Sequence, residues 1–255
     1  MSVLKLAKKY IVDSQIYVSL MGTMLAAFFL LEQNAFRLPK LYLIFLTFFS
    51  GYLYTKYQNQ GKIFYKVLIF NSITGIICVL LIIKNHNQQI LLRWLLIVIL
   101  GLLYNSKFWE ATIRKIPFLK IFYVGLVWGL CFGFLGLAEV KWEIIGFSFF
   151  YISALVLPFD IRDMKLDTIV TFPKIIGIKN TKLLAYFLIL IANIISVFSF
   201  KTDIRVALFI TSLISCILIY FANDKKSDAY FSFGIESCSG LPLIIYFIHK
   251  SFDLF

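Results

Sequence analysis

Apolar residues in this chain neither alternate strictly nor form short one-sided stripes. They come in long continuous runs separated by brief polar clusters. Nine runs stand out, at about 14–32, 40–57, 64–83, 89–104, 118–138, 143–160, 182–200, 204–222 and 237–254. Continuous runs of this kind predict helices that cross a bilayer, not the ten-residue alternating strands of a membrane barrel. Several runs are short for a hydrocarbon layer of about 30 Å, so their ends are expected to reach into the connecting segments. No interior linker or low-complexity stretch breaks the series. The pattern therefore predicts an all-α, polytopic membrane bundle of nine transmembrane helices in a single domain spanning residues 1–255. The N-terminal stretch is basic and then apolar, like a secretion signal in outline. No small-x-small cleavage pattern follows it and further spans do, so it is expected to be retained as the first helix.

Composition supports this reading. The chain is 61% hydrophobic and only 15% charged, with a mean hydropathy of +0.89, far from the balance of soluble domains. A net charge of +12 raises the question of nucleic acid. The lysines and arginines, however, are spread from loop to loop and form no continuous basic face, so no nucleic-acid partner is expected. Alternate connections differ in charge. Arg37, Lys40, Lys84, Arg93, Lys141, Lys201, Arg205 and Lys250 fall on one side of the nine-span topology, and the other seventeen of the 25 basic residues fall on the opposite side. The richer side, which carries the N-terminus, is expected to be cytoplasmic, with the C-terminus across the membrane. Cys78, Cys131, Cys216 and Cys238 lie far apart inside apolar runs, and His86 and His249 are the only histidines, so a zinc site is not expected.

The chemistry concentrates after the sixth run, in DIRDMKLD. Asp160, Asp163 and Asp167 have i, i+3, i+7 spacing. On a continuing helix they would share an arc of about 60°. Arg162 and Lys165 would face the other way, and no basic residue stands three or four positions from an aspartate. Such a stripe repels itself and sits at the negative end of a helix dipole, so it calls for a cation from outside the helix. Hard oxygen donors on one face suit Mg²⁺, an ion that bridges to substrate phosphates. The alternative is a solvated helix end whose acids pair with lysines of a neighbouring loop. Beyond the acids, Thr171, Pro173 and Gly177 predict a short helix across the cytoplasmic mouth, and Asn180 or Thr181 a cap for the seventh span. After the fourth run, Tyr104, Lys107, Arg114, Lys115 and Lys120 are available to an anion. Ordinary cytoplasmic charge suffices for Lys115; Lys120, directly followed by apolar span, is expected to point inward. Phe122, Tyr123 and Trp128 read as packing before they read as a wall for a carbocation. A cation transporter is a third reading, but it needs ionisable residues near mid-span, and these are few.

With these features in place, the sequence resembles the UbiA superfamily of intramembrane prenyltransferases. LPFDIRDMKLDTIVTFPKIIGIKNTK is similar to that family's second aspartate-rich motif with its following short helix, and LLYNSKFWEATIRKIPFLKIFYVGLVWG to its Tyr/Lys/Arg loop and fifth helix. The likeness is strong over 103–182 and weak before residue 60. It implies a bacterial inner-membrane enzyme that transfers an isoprenoid group from a polyprenyl diphosphate to an aromatic or lipid-soluble acceptor, as in quinone biosynthesis. By the same likeness Asp160, Asp163 and Asp167 would hold Mg²⁺, and Lys56, Lys62, Tyr104, Arg114 and Lys120 would meet the diphosphate. No catalytic residue is assigned. The departure is the first aspartate-rich motif, expected after the second span: no Asp or Glu occurs between Glu32 and Glu110. Either Lys56, Lys62 and Lys66 grip the diphosphate directly, or the chain has kept the fold as an isoprenoid-binding or accessory protein without catalysis. Asp224, Asp228 and Glu236 lie on the same side, Glu236 as an accessory ligand or a buried, bonded acid.

Overall fold

The computed structural model describes residues 15–84, 88–105, 113–165 and 169–252. Through them run α1 (Ile16–Glu32), α2 (Leu38–Tyr57), α3 (Gly61–Lys84), α4 (Gln88–Tyr104), α5 (Leu119–Leu130), α6 (Trp142–Arg162), α7 (Phe172–Ser199), α8 (Thr202–Phe221) and α9 (Glu236–Phe252). A π-helical turn, Cys131–Leu135, prolongs α5, and another, Tyr230–Ile235, leads into α9. There is no strand among the described residues. Each of the nine apolar runs corresponds to one helix. Five helical segments are long and apolar enough to cross a membrane: α3, α6, α7, α8, and α9 with its π turn. α1, α4 and α5 are shorter apolar helices. The chain is an integral membrane protein made of helices.

Helices consecutive in the chain run in opposite directions. Arg93 near the start of α4 donates to the carbonyls of Phe134, Leu137 and Ala138 beyond the end of α5, while Tyr123 near the start of α5 donates to Leu100 O near the end of α4, at 2.7 Å. α1 closes the ring by packing on both α2 and α9. Leu25, Phe28, Phe29 and Leu30 of α1 are buried, and Phe29 meets the rings of Phe132, Phe147 and Phe200 from three other parts of the bundle. A buried polar pin holds α8 and α9 to α6: the Tyr151 hydroxyl lies 2.8 Å from Ser215 Oγ and donates to Cys238 O at 3.0 Å.

The tightest contact is the seam between α5 and α6. Gly125, Gly129 and Gly133 recur every fourth residue, so they stack on one face of α5 and its π turn. A methyl group on Gly125 would fall 2.4 Å from Phe149 O, on Gly129 2.8 Å from Ile145 O, and on Gly133 2.6 Å from Lys141 O. With no hydrophobic drive between helices in lipid, such close backbone approach is how they hold together. Ser153 Oγ adds a hydrogen bond of 3.2 Å to Ile121 O across the seam.

α6 stops at Arg162, and Asp163 is its C-cap, with φ −87° and ψ 3°. The single helical arc expected for three aspartates is therefore not formed: Asp160 lies on the helix, Asp163 at its end, and Asp167 outside the described residues. Beyond this, Thr171 and Pro173 open α7 as expected, and Gly177 (φ 76°) breaks it after one turn. Only glycine adopts that backbone without strain. Thr181 Oγ1 donates to Gly177 O at 2.9 Å, tying off a broken-turn carbonyl instead of capping an N–H group.

Candidate functional site

Alternation of the helices gathers one set of ends at one side of the bundle: the starts of α1, α5, α7 and α9 and the ends of α2, α4, α6 and α8. A cavity of about 550 Å³ opens there. Its wall includes Tyr17 of α1, Tyr52 and Lys56 of α2, Tyr104 of α4, Lys120 and Trp128 of α5, Arg162 of α6 with the Asp163 cap, Asp228 before α9, and Glu236 and Ser239 of α9.

The structure brings Lys56, Tyr104, Lys120 and Asp163 into one chamber, out of the residues expected from the sequence. Asp160 is not in its wall. It is buried at 2% exposure behind Lys120, whose Nζ donates to Asp160 Oδ1 at 2.6 Å. Lys62 is exposed at the start of α3, and Arg114 lies in a 3₁₀ turn, Ile113–Lys115; neither lines the chamber. Lys107 and Asp167 lie outside the described residues.

Asp160 and Asp163 do have basic partners, contrary to what helical spacing suggested. Arg162 grips the adjacent Asp163 through both carboxylate oxygens, at 2.7 Å from Nε and 2.8 Å from a terminal nitrogen. This neighbour pairing is available because the helix ends between the two residues. Its guanidinium also rests on Phe159 and Phe231, 5.2 and 5.7 Å from the ring centroids. Lys165 pairs with Asp224 at 2.8 Å, and its ammonium holds the Asp224 carboxyl below the usual carboxylate range. Asp163, Asp228 and Glu236 all act electrostatically on Arg162. No group of three His, Cys, Asp or Glu among the described residues is arranged to hold a metal ion by itself.

A second cavity, of about 400 Å³, lies between α2, α3, α4 and α5. Leu46, Phe48, Leu68, Ile97, Val98 and Val127 make much of its wall apolar. Tyr52, Tyr104, Val124 and Trp128 line both spaces. Trp128 Nε1 donates to the Tyr52 hydroxyl at 3.0 Å, which fixes both rings at the junction. The Tyr104 ring stacks on Tyr123, 5.9 Å away and 10° from parallel.

Sequence reading did not find this second cavity, the glycine seam or the π turn that sets Glu236. The Gly-x-x-x-Gly-x-x-x-Gly spacing of α5 was the available signal for the seam. Glu236 itself was named from the sequence, as an accessory ligand or a buried acid at the head of the ninth run; the structure puts it in the chamber wall.

No family model matches the sequence and no curated protein matches it. Solved structures do match. A UbiA homologue from Archaeoglobus fulgidus has a TM-score of 0.66 at 16% identity, over 95% of this chain and 99% of its own. A UbiA homologue from the same organism, bound to GPP and Mg²⁺, has a TM-score of 0.62 at 15% identity, over 94% and 98%. A structure of digeranylgeranylglyceryl phosphate synthase gives 0.59 at 17% identity, over 97% and 98%. At such identities the shared property is the fold. The chain has the helical bundle fold of UbiA homologues, over nearly its whole length.

Proposed function

We propose that this chain is an intramembrane prenyltransferase of the UbiA type. It would move an isoprenoid group from a polyprenyl diphosphate to an aromatic or other lipid-soluble acceptor, with Mg²⁺. One observation carries this reading: a charged chamber at the bundle end joins an apolar cavity through a shared aromatic wall. A diphosphate needs the first space and a hydrocarbon tail the second. Solved UbiA homologues bound to GPP with Mg²⁺ and to DMAPP with Mg²⁺ support the ligand class.

The donor chemistry fits the ion in the manner usual for magnesium, which takes one or two carboxylates and completes its shell with water and substrate phosphates. Asp163 and Asp228 are carboxylates of the chamber wall that would hold it, with Asp167 as a further expected ligand. When bound, Mg²⁺ supplies charge neutralisation to the departing diphosphate. Lys56 of α2 and Lys120 on the α5–α6 seam would offer ammonium groups to the phosphate oxygens. Asp160 is a positioning residue in this scheme, since it lies behind Lys120 and holds its ammonium group. Arg114 and Lys62 lie outside the wall, where their charge would draw an anion toward the mouth. Breaking the bond between the allylic carbon and the diphosphate oxygen leaves positive charge on carbon. Tyr52, Tyr104 and Trp128, which line both spaces, would supply aromatic surface to that charge. Acceptor attack on that carbon, with loss of the displaced acceptor proton to the departing diphosphate or to water, completes the transfer. The charge pattern of the loops supports a chamber that opens at the cytoplasmic face, in a bacterial inner membrane on this reading.

A second reading has its own observation. Asp160 and Asp163 are already ion-paired, and no carboxylate occurs between Glu32 and Glu110. A chain that binds isoprenoid lipids without turning them over would look the same. Purified protein with geranyl, farnesyl and geranylgeranyl diphosphate and Mg²⁺ separates the two. Both readings predict a rise in melting temperature, worth about 2.7 kcal/mol at a hundred times Kd. Asp163→Asn or Lys56→Ala should diminish it. Only the enzyme releases diphosphate when quinol-type acceptors are added. Absence of release across all three chain lengths decides for the binding protein, and absence of any thermal shift rejects both.

A further inference from the structure

Glu236 is an ionisable residue inside a membrane-spanning segment, six residues beyond the start of the π turn at Tyr230. It faces the chamber from α9. Its carboxylate has no hydrogen bond or ion pair among the described residues; the charge that acts on it is Arg162, which is committed to Asp163 through both nitrogens described above. A carboxylate placed in a protein interior without a dedicated partner is costly, and in membrane spans such residues serve function. π turns often mark functional positions because the widened turn re-aims side chains. Here the turn Tyr230–Ile235 ends immediately before Glu236.

Tyr52 stands in the same wall and feels the charge of Glu236. Its hydroxyl oxygen already accepts the Trp128 N–H, so its own proton is available to donate. Of the other hydroxyls nearby, Tyr17 is bonded to Ser237 and Ser239 donates to Glu236 O at 2.8 Å, while Ser232 stands in the wall one turn before Glu236. The inner end of the chamber thus pairs an acidic acceptor, Glu236, with a hydroxyl donor, Tyr52. A hydroxyl group matches that pair, since it donates one hydrogen bond and accepts another. An anion does not match, because it meets the carboxylate with like charge and no proton to offer.

We infer that Glu236, with Tyr52, makes the chamber selective for a neutral, hydroxyl-bearing prenyl acceptor and excludes carboxylate-bearing ones. This rests on the transfer reading above. Glu236 is the specificity-determining residue, and its effect is separable from diphosphate binding, which uses the mouth of the chamber.

The test is a matched pair of phenols, 4-hydroxybenzamide and 4-hydroxybenzoate, titrated calorimetrically into the full chain with Mg²⁺ and the unreactive geranyl thiolodiphosphate. The wild-type chain should bind the amide at least tenfold more tightly than the carboxylate. Glu236→Gln should bring the ratio near one by strengthening carboxylate binding, while keeping the wild-type melting-temperature rise with the thiolodiphosphate. Tyr52→Phe should weaken both phenols and leave the ratio. Equal wild-type affinities, an unchanged ratio in Glu236→Gln, or no binding of either phenol overturns the inference. A chain that shows the expected phenol ratio but binds no thiolodiphosphate overturns the transfer reading and leaves the selectivity standing.

Discussion

The α5–α6 seam and the α2–α4 wall enclose the same chamber and are built in opposite ways. Along the seam three glycines let backbones touch, and the most apolar window of α6 is 72% buried. Around the apolar cavity, the corresponding stretch of α3 is only 22% buried, and a methyl group on Gly51, Gly75 or Gly101 would meet nothing closer than 4.0 Å. The seam carries Lys120, Asp160, Arg162 and Asp163; the wall carries the apolar cavity. Under the proposed function, charged groups that would meet a diphosphate need fixed positions, since electrostatic stabilisation depends on groups that do not reorganise. A hydrocarbon tail would need volume and tolerate loose surroundings. The division of packing matches the division of chemistry that the proposal requires.

Substitutions on the two sides should therefore fail differently. The largest effect is expected from Gly129→Leu, where the first added carbon meets backbone 2.8 Å away and cannot move it cheaply. Its cost should exceed about 3 kcal/mol, read as loss of monodisperse protein or a steep fall in melting temperature. A well-behaved Gly129→Leu protein would remove the seam from the account.

Next comes Asp160→Asn, which leaves the Lys120 ammonium beside a neutral amide. Breaking a buried pair from one side costs about 3–5 kcal/mol. The double variant Lys120→Met, Asp160→Leu should recover much of that stability yet bind geranyl diphosphate poorly, because the cation is gone. Full binding in the double variant would show that Lys120 serves packing alone.

On the loose wall, Gly101→Leu should fold with a change below about 1 kcal/mol, within the range of substitutions free of steric conflict. Its side chain would instead occupy cavity space, so geranylgeranyl diphosphate should weaken about tenfold, about 1.4 kcal/mol, with geranyl diphosphate little affected. Equal losses for the two chain lengths would place the tail elsewhere.

The smallest effect belongs to Lys165 and Asp224, outside the seam. Lys165 depresses the Asp224 carboxyl, so the pair contributes above the ordinary carboxylate range and the contribution disappears as pH falls through the lowered value. The stability difference between wild type and Lys165→Met should be small and flat from pH 7 down to the carboxylate range, then vanish in acid. A difference that grew with acidification would reverse the sign assigned here.

Much of this architecture was legible along the chain. Nine apolar runs became nine helices, and the break at Gly177 fell where Pro173 and Gly177 placed it. Lys120 did turn inward, as its position at the head of an apolar run implied. The aspartate stripe was read less well. Its spacing presumed a helix through residue 167, whereas α6 ends at Arg162; the counter-charge of Asp163 came from the residue before it and that of Asp160 from another helix. The thought that the acids pair with a neighbouring segment's lysine describes Asp160; the segment is α5 itself.

Sequence alone determined that this is a bundle of membrane helices and which connections carry positive charge, because transfer of long apolar runs into lipid is a local, additive property of residues. It did not determine which helix faces meet. Helices apolar on all sides carry little information about their orientation, and in lipid that orientation is settled by close packing between partners distant in the chain. Only the tertiary structure decided that Lys120 would meet Asp160, that α2–α5 would leave a cavity, and that Glu236 and Tyr52 would look into one chamber, since each depends on two surfaces fitting together.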